Sequence, residues 1–436
     1  MDAPSVVKIV VSLAFLIIFY RFTKSFLWSI VMTTIGFAGW LGFSFHEMGM
    51  ISFRRSVSPN HLFLSLTVLQ VIWLSNQMNA TGMMQKFILF FKSRFSSRMS
   101  FALLPAVVGL LPMPGGAIFS APLVQANDSD MSVDPELKTR INYWFRHIWE
   151  YWWPLYPGVI LAMEITRMRI GEYIFLLIPF TVFTVIVGRI FILKKIPRNA
   201  EPIRKDSPPA TNNDKFGEFP GTPFLPIVAI IITYILIQIM LPGWATFNKY
   251  IPMVVGLLSA QVLLQVISPI GWKELLKAGF ALKTFSLIVI VTAIRIYGAF
   301  LEPQIMGGSH YSVMDQVHSE LQHWNISPLW IVAFIPFMAG ITTGLAIGFV
   351  GAGFPVVISL LGQNPSAGDL YFYTTMAYGF GYMGMMLSPV HVCLIVTVEF
   401  FKTSLYGTLK KLIPLAVSMM GFSLAYSFLI RFIMNA

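Results

Sequence analysis

Leu104-Pro105-x-x-x-Gly109, running on through Pro112, Pro114, Gly115 and Gly116 to Pro122-Leu123-Val124, has a near copy later in the chain. The copy is Ile335-Pro336-x-x-x-Gly340, running on through Gly344 and Gly348 to Pro355-Val356-Val357. A second matching pair follows each copy. Pro154 stands ten residues before Glu164 and thirteen before Arg167, and Pro389 stands ten before Glu399 and thirteen before Lys402. Proline removes a backbone donor and turns its predecessor away from the helical region, while glycine lets backbone approach a ligand or another helix. Two halves that each carry a Gly/Pro-broken apolar segment at the same place point to the binding site of a secondary transporter.

The setting is a membrane. The chain is 56% hydrophobic and only 11% charged, where a soluble domain carries about a quarter charged residues, and its mean hydropathy is +0.72. Apolar runs of about 20 residues, enough to cross a bilayer, recur throughout. The net charge of +11 is therefore no nucleic-acid signature, because Lys and Arg cluster in loops between apolar runs. A single cysteine, Cys393, excludes a disulfide framework and a cysteine-based metal site. The first apolar run has no basic region before it and no small-residue cleavage site, and Arg21 and Lys24 follow it, so it reads as a retained first span.

Spans are expected at 6–20, 26–44, 61–79, 142–163 and 172–193, and again at 223–241, 250–268, 280–300, 371–397 and 409–433. Residues 1–193 form the first repeat, 194–221 a polar cytoplasmic linker and 222–436 the second repeat. The segments at about 100–124 and 328–360 are either full spans or re-entrant hairpins. Leaving Arg295 aside, hairpins divide the Lys and Arg residues 22 to 7 between the two sides, whereas full spans divide them 17 to 12. The positive-inside bias selects hairpins. The expected fold is all-α, with about ten transmembrane helices and two re-entrant hairpins in two inverted repeats. Both termini lie outside, the first hairpin enters from the cytoplasm and the second from outside.

The stretch Leu111-Pro-Met-Pro-Gly-Gly-Ala-Ile-Phe-Ser-Ala-Pro122, with Ser388-Pro-Val-His391, resembles the signatures of the domain of unknown function 401 family of prokaryotic integral membrane proteins. The resemblance covers nearly the whole chain. It implies membership of the ion transporter superfamily and an elevator-type carrier, a homodimer in the cytoplasmic membrane. Substrate would lie between two hairpin tips and two broken helices. Dicarboxylate carriers of that superfamily place Ser-Asn-Thr motifs there. This chain has Pro112-Met113-Pro114-Gly115-Gly116 and Ile341-Thr342-Thr343-Gly344 instead, a departure that touches both sodium coupling and dicarboxylate specificity.

The expected substrate-binding residues are Pro112, Pro114, Gly115, Gly116 and Ser120 in the first hairpin, and Thr342, Thr343 and Gly344 in the second. Pro154 and Tyr156 belong to the first helix break, Ser388 and Pro389 to the second. Half-helix N-termini made by such breaks carry positive partial charge that suits an anion. Each proline also reads as a simple kink, and each hydroxyl as one bonded to its own backbone. Arg295 is the one basic residue deep within an expected span. It binds a carboxylate bidentately, pairs with Glu302 or snorkels outward. His391, His147 and Glu150 are candidates for proton coupling, the histidines reading equally as hydrogen-bonded structural groups. Glu164, Glu399, Arg167 and Lys402 read as interfacial anchors.

No Asp lies in an expected span, no nucleophile or phosphate-loop motif is present, and His46-Glu47 has no second His at metal-ligand spacing. No catalytic residue, metal or cofactor is expected. The leading reading is a secondary active transporter of a small organic anion, ion-coupled, with protons favoured over sodium. The alternatives are an intramembrane enzyme on a lipid-linked substrate and a cation/proton antiporter on the same fold.

Overall fold

The computed structural model describes residues 3–23, 25–83, 86, 97–110, 116–128, 132–197, 222–280, 282–301, 316, 319–320, 323–325, 327–362 and 365–435. Pro112, Pro114, Gly115 and Glu302, and all but the first few residues of the linker, lie outside them.

The described residues are helical with no strand. In the first half, α1 is Ser5–Thr23, α2 Phe26–Trp40, α3 Phe45–Ser56, α4 Pro59–Ala80, α5 Ser97–Gly109, α6 Ala117–Ala126, α7 Pro135–Arg146, α8 Pro157–Thr166 and α9 Ile170–Phe191. In the second half, α10 is Leu225–Met240, α11 Pro242–Phe247, α12 Ile251–Ile267, α13 Trp272–Gly279, α14 Leu282–Ala299, α15 Pro328–Thr343, α16 Ala346–Ser359, α17 Ala367–Met386, α18 Val392–Phe401 and α19 Leu405–Asn435.

The chain has the make-up of a polytopic membrane protein. Among the described residues, four helical stretches are long and apolar enough to cross a bilayer, Ser5–Thr23, Ile170–Lys195, Trp272–Ala299 and Leu405–Met434, and α3 with α4 would be a fifth if taken as one span bent by 59°. The other apolar helices run 10–17 residues. All ten stretches expected as crossings lie on helices, but 142–163 and 371–397 are not continuous. The first is split between α7 and α8, the second between α17 and α18. The short helices α3, α11 and α13 were not expected. In α3, Ser44 and Glu47 cap the N-terminus reciprocally, with Ser44 N–H donating to Glu47 Oε2 at 2.7 Å, which gives Glu47 a structural role.

Helix starts follow local chemistry. Asp134 caps α7 by accepting from the Glu136 and Leu137 N–H groups, with Pro135 at the first position. Ser327 and Ser366 cap α15 and α17 in the same way. Each hairpin arm carries an internal proline: Pro105 in α5, Pro122 in α6, Pro336 in α15 and Pro355 in α16.

Packing sorts the helices into two bodies. One holds α5–α9 and α15–α19, that is, both hairpins, both broken helices and the helix after each. The other holds α1–α4 and α10–α14. The principal contacts between bodies are α14 with α16, α1 with α15 and α4 with α8. In the first body, α15 and α17 meet at Gly340 and Gly384, where an added Cβ would strike the facing backbone. Small residues that let backbones approach are the usual means of helix association where water supplies no driving force.

Candidate functional site

The helix breaks are the centre of the hairpin-bearing body. Breaking a helix inside an apolar body frees carbonyls that need donors, and the donors here are side chains. Tyr382 donates to the carbonyl of His147 at 2.6 Å, Tyr378 to that of Glu150 at 2.6 Å and Thr181 to that of Ile148 at 2.5 Å. Across the body, Tyr143 donates to the carbonyl of Met386 at 3.0 Å. The breaks in turn satisfy the hairpins. Trp149 and Trp153 donate to the carbonyls of Ala106 and Leu110 at 2.8 and 2.9 Å, and Tyr156 donates to that of Gly109. In the second hairpin, Ser388 donates to the carbonyl of Ile341 at 2.7 Å and His391 Nδ1 to that of Gly344, also at 2.7 Å.

Gly344 ends α15 with φ +61°. That region is open to glycine at little cost, and an added Cβ would lie 2.9 Å from the His391 nitrogen. On the other hairpin, Gly116 precedes α6 and lies against the Arg146 guanidinium. Arg146 is buried, with Nη1 3.6 Å from Glu150 Oε1. Gly158, the second residue of α8, faces the start of α16, where an added Cβ would lie 2.7 Å from that of Ala346. Two helix N-termini therefore meet here, both with positive partial charge.

The breaks bring together the residues that carry titratable chemistry. His147 Nδ1 lies 2.6 Å from the carbonyl of Tyr143, and His147 Nε2 is 3.1 Å from His391 Nε2. Glu150 Oε1 is 3.9 Å from His147 Nε2. The thiol of Cys393 joins the two imidazoles, and all three ligand atoms lie within 4.8 Å of one another with every residue buried. The reading of a single cysteine as excluding a cysteine-based metal site does not weigh such a mixed set. Its members come from opposite halves of the chain, so spacing along the sequence could not reveal them.

Arg295 stands elsewhere. Its Nη1 lies 3.0 Å from Glu164 Oε1, while Lys249 Nζ and the Tyr250 hydroxyl reach Glu164 Oε2 at 2.9 and 2.5 Å. Glu164 is thus no simple interfacial anchor: it ties α8 to α14 and to the turn that leads into α12 of the other body. Beside it opens a cavity of about 310 Å³ lined by Thr67, Pro154, Met163, Gln238 and Tyr250 among others. Of the expected hydroxyls, Thr342 and Thr343 each donate to the carbonyl four residues back at 2.7 Å, and Ser120 to that of Ala117 at 3.5 Å. Tyr143, Tyr378, Tyr382 and Cys393 were not among the site residues expected from sequence. The spacing that separates Pro154 from Pro389 also separates Tyr143 from Tyr378, and that register was the available signal for these two.

Among models of protein families, the one described as "Protein of unknown function (DUF401)" matches residues 5–429. The chain belongs to the DUF401 family. A comparison with curated proteins finds no match. The match takes in both hairpins, both breaks and the Glu164 cluster, so the whole arrangement described above falls within the DUF401 region of the chain.

Proposed function

We propose that this DUF401 protein is a secondary active transporter that moves a small organic anion across the cytoplasmic membrane by alternating access. The two halves are inverted repeats, both termini lie outside, and the hairpin-bearing body is the part that carries substrate. The reading is carried by one observation: both hairpins and both broken helices belong to a single body, and their breaks meet at the His147–His391 contact. A carrier needs its site at the junction of two repeats, at a depth where helices are discontinuous. Further support comes from charge. The facing N-termini of α8 and α16, together with Arg146, favour a negatively charged group.

Uptake into proteoliposomes tests this. Purified protein should accumulate labelled mono- or dicarboxylates under an imposed proton or sodium gradient, the productive gradient naming the coupling ion. Arg146→Gln should abolish uptake. If no organic acid moves under either gradient, the anion-carrier reading fails.

A further inference from the structure

We propose that His147, His391 and Cys393 bind one thiophilic transition-metal ion, of the zinc(II) class, at the meeting point of the two breaks, with Glu150 as the carboxylate available for the fourth position.

The tautomers lead to it. A carbonyl oxygen can only accept, so the nitrogen that faces one must carry the hydrogen. His147 Nδ1 faces the carbonyl of Tyr143 and His391 Nδ1 that of Gly344. Both neutral rings are therefore protonated on Nδ1, and each directs an Nε2 lone pair at the other across 3.1 Å. Two lone pairs at that separation repel unless something electrophilic lies between them. A histidine that donates its distal N–H to a backbone carbonyl and presents the other nitrogen is the usual form of a metal-ligating imidazole.

The thiol selects among electrophiles. A proton shared between two imidazoles needs no third donor, yet Cys393 Sγ lies within 4.8 Å of a ring nitrogen of each histidine. Thiolate and imidazole together suit zinc and other thiophilic ions, whereas magnesium and calcium take oxygen ligands. The size also fits. Zinc–nitrogen bonds of about 2.0–2.1 Å in a tetrahedron place two ligand nitrogens roughly 3.3 Å apart, close to the 3.1 Å present. Three protein donors leave one position, and Glu150 Oε1, 3.9 Å from His147 Nε2, is the carboxylate within reach of it. Binding replaces the thiol proton with the metal–sulfur bond and releases that proton; no redox change is involved.

Cobalt(II), a spectroscopic surrogate for zinc, provides the test on the full chain in detergent after chelator treatment. One equivalent should give visible d–d bands with a thiolate-to-cobalt charge-transfer band, and zinc should displace it. Cys393→Ser should lose the charge-transfer band. His147→Asn and His391→Asn keep a donor near the Nδ1 position for the carbonyl and delete the ligand nitrogen, and each should weaken binding by at least about 100-fold, beyond what the loss of a group that only orients a ligand produces. A wild-type spectrum without the charge-transfer band overturns the proposal with no need of any variant. So does binding that survives all three substitutions, which would mark an adventitious surface ion. Metal binding is read without any transport assay, so its failure and the failure of the anion-carrier reading are separate results.

Discussion

Tyr156 and His391 make the same bond in the two halves of the chain. Each is the residue that precedes the second part of a broken helix, and each donates to a hairpin carbonyl 47 residues earlier, Gly109 for one and Gly344 for the other. One half uses a phenol and the other an imidazole, so the same backbone contact is made with different chemistry. Tyr156→Phe deletes the donor and leaves the Gly109 carbonyl buried without this partner. The expected loss is about 1–3 kcal/mol, read as a lower thermal midpoint in detergent. An unchanged midpoint would show that the carbonyl finds another donor.

Gly344→Ala should be costlier than its single methyl suggests. A non-glycine residue held at φ +61° costs of order 1–3 kcal/mol, and the added carbon would press on the backbone of His391. Thermal unfolding should show the destabilisation, and uptake should fall further than that of a variant equally destabilised elsewhere.

The Glu164 cluster joins the two bodies. A double-mutant cycle between Glu164→Gln and Arg295→Met should return a coupling of about 0.5–3 kcal/mol, because the residues are in direct contact. Lys249 shares the same carboxylate and limits the effect of Arg295→Met alone. Additive losses would show that the pair contributes nothing of its own.

Asp128 accepts from Lys138 Nζ at 2.8 Å with both side chains buried, and it also receives the Ser132 and Val133 N–H groups. Removing one member of a buried ion pair costs about 3–5 kcal/mol, since the other charge stays behind. Asp128→Asn should therefore lower the yield of monodisperse protein and its midpoint. The double variant Asp128→Asn with Lys138→Met should recover part of the loss.

The helix breaks were legible in the sequence because their cause is local. Pro154 and Pro389 act on the residues around them wherever the rest of the chain lies. The partner of Arg295 was not legible, because Glu164 comes from the other half and only tertiary packing unites them. Thr342 and Thr343 illustrate the opposite difficulty. Hydroxyls in an apolar helix read equally as ligands or as back-bonded groups, and here their bonds go to their own helix. Tyr378 and Tyr382 look like ordinary core aromatics in a linear reading, since nothing local announces that their hydroxyls meet carbonyls freed at a distant break. Cys393 was set aside because it is alone, although a lone thiol needs only two histidines from elsewhere.

The tyrosines and tryptophans that answer the broken-helix and hairpin carbonyls lie in the same body as those carbonyls, except Tyr20 of α1, which reaches across to the carbonyl of Thr343 at 3.2 Å. That body therefore takes the place of water for its own backbone. Shifted as a unit to another depth in a bilayer, it would keep the partners it holds itself, and the polar contacts to be exchanged would be those around Glu164 and the one from Tyr20 to Thr343.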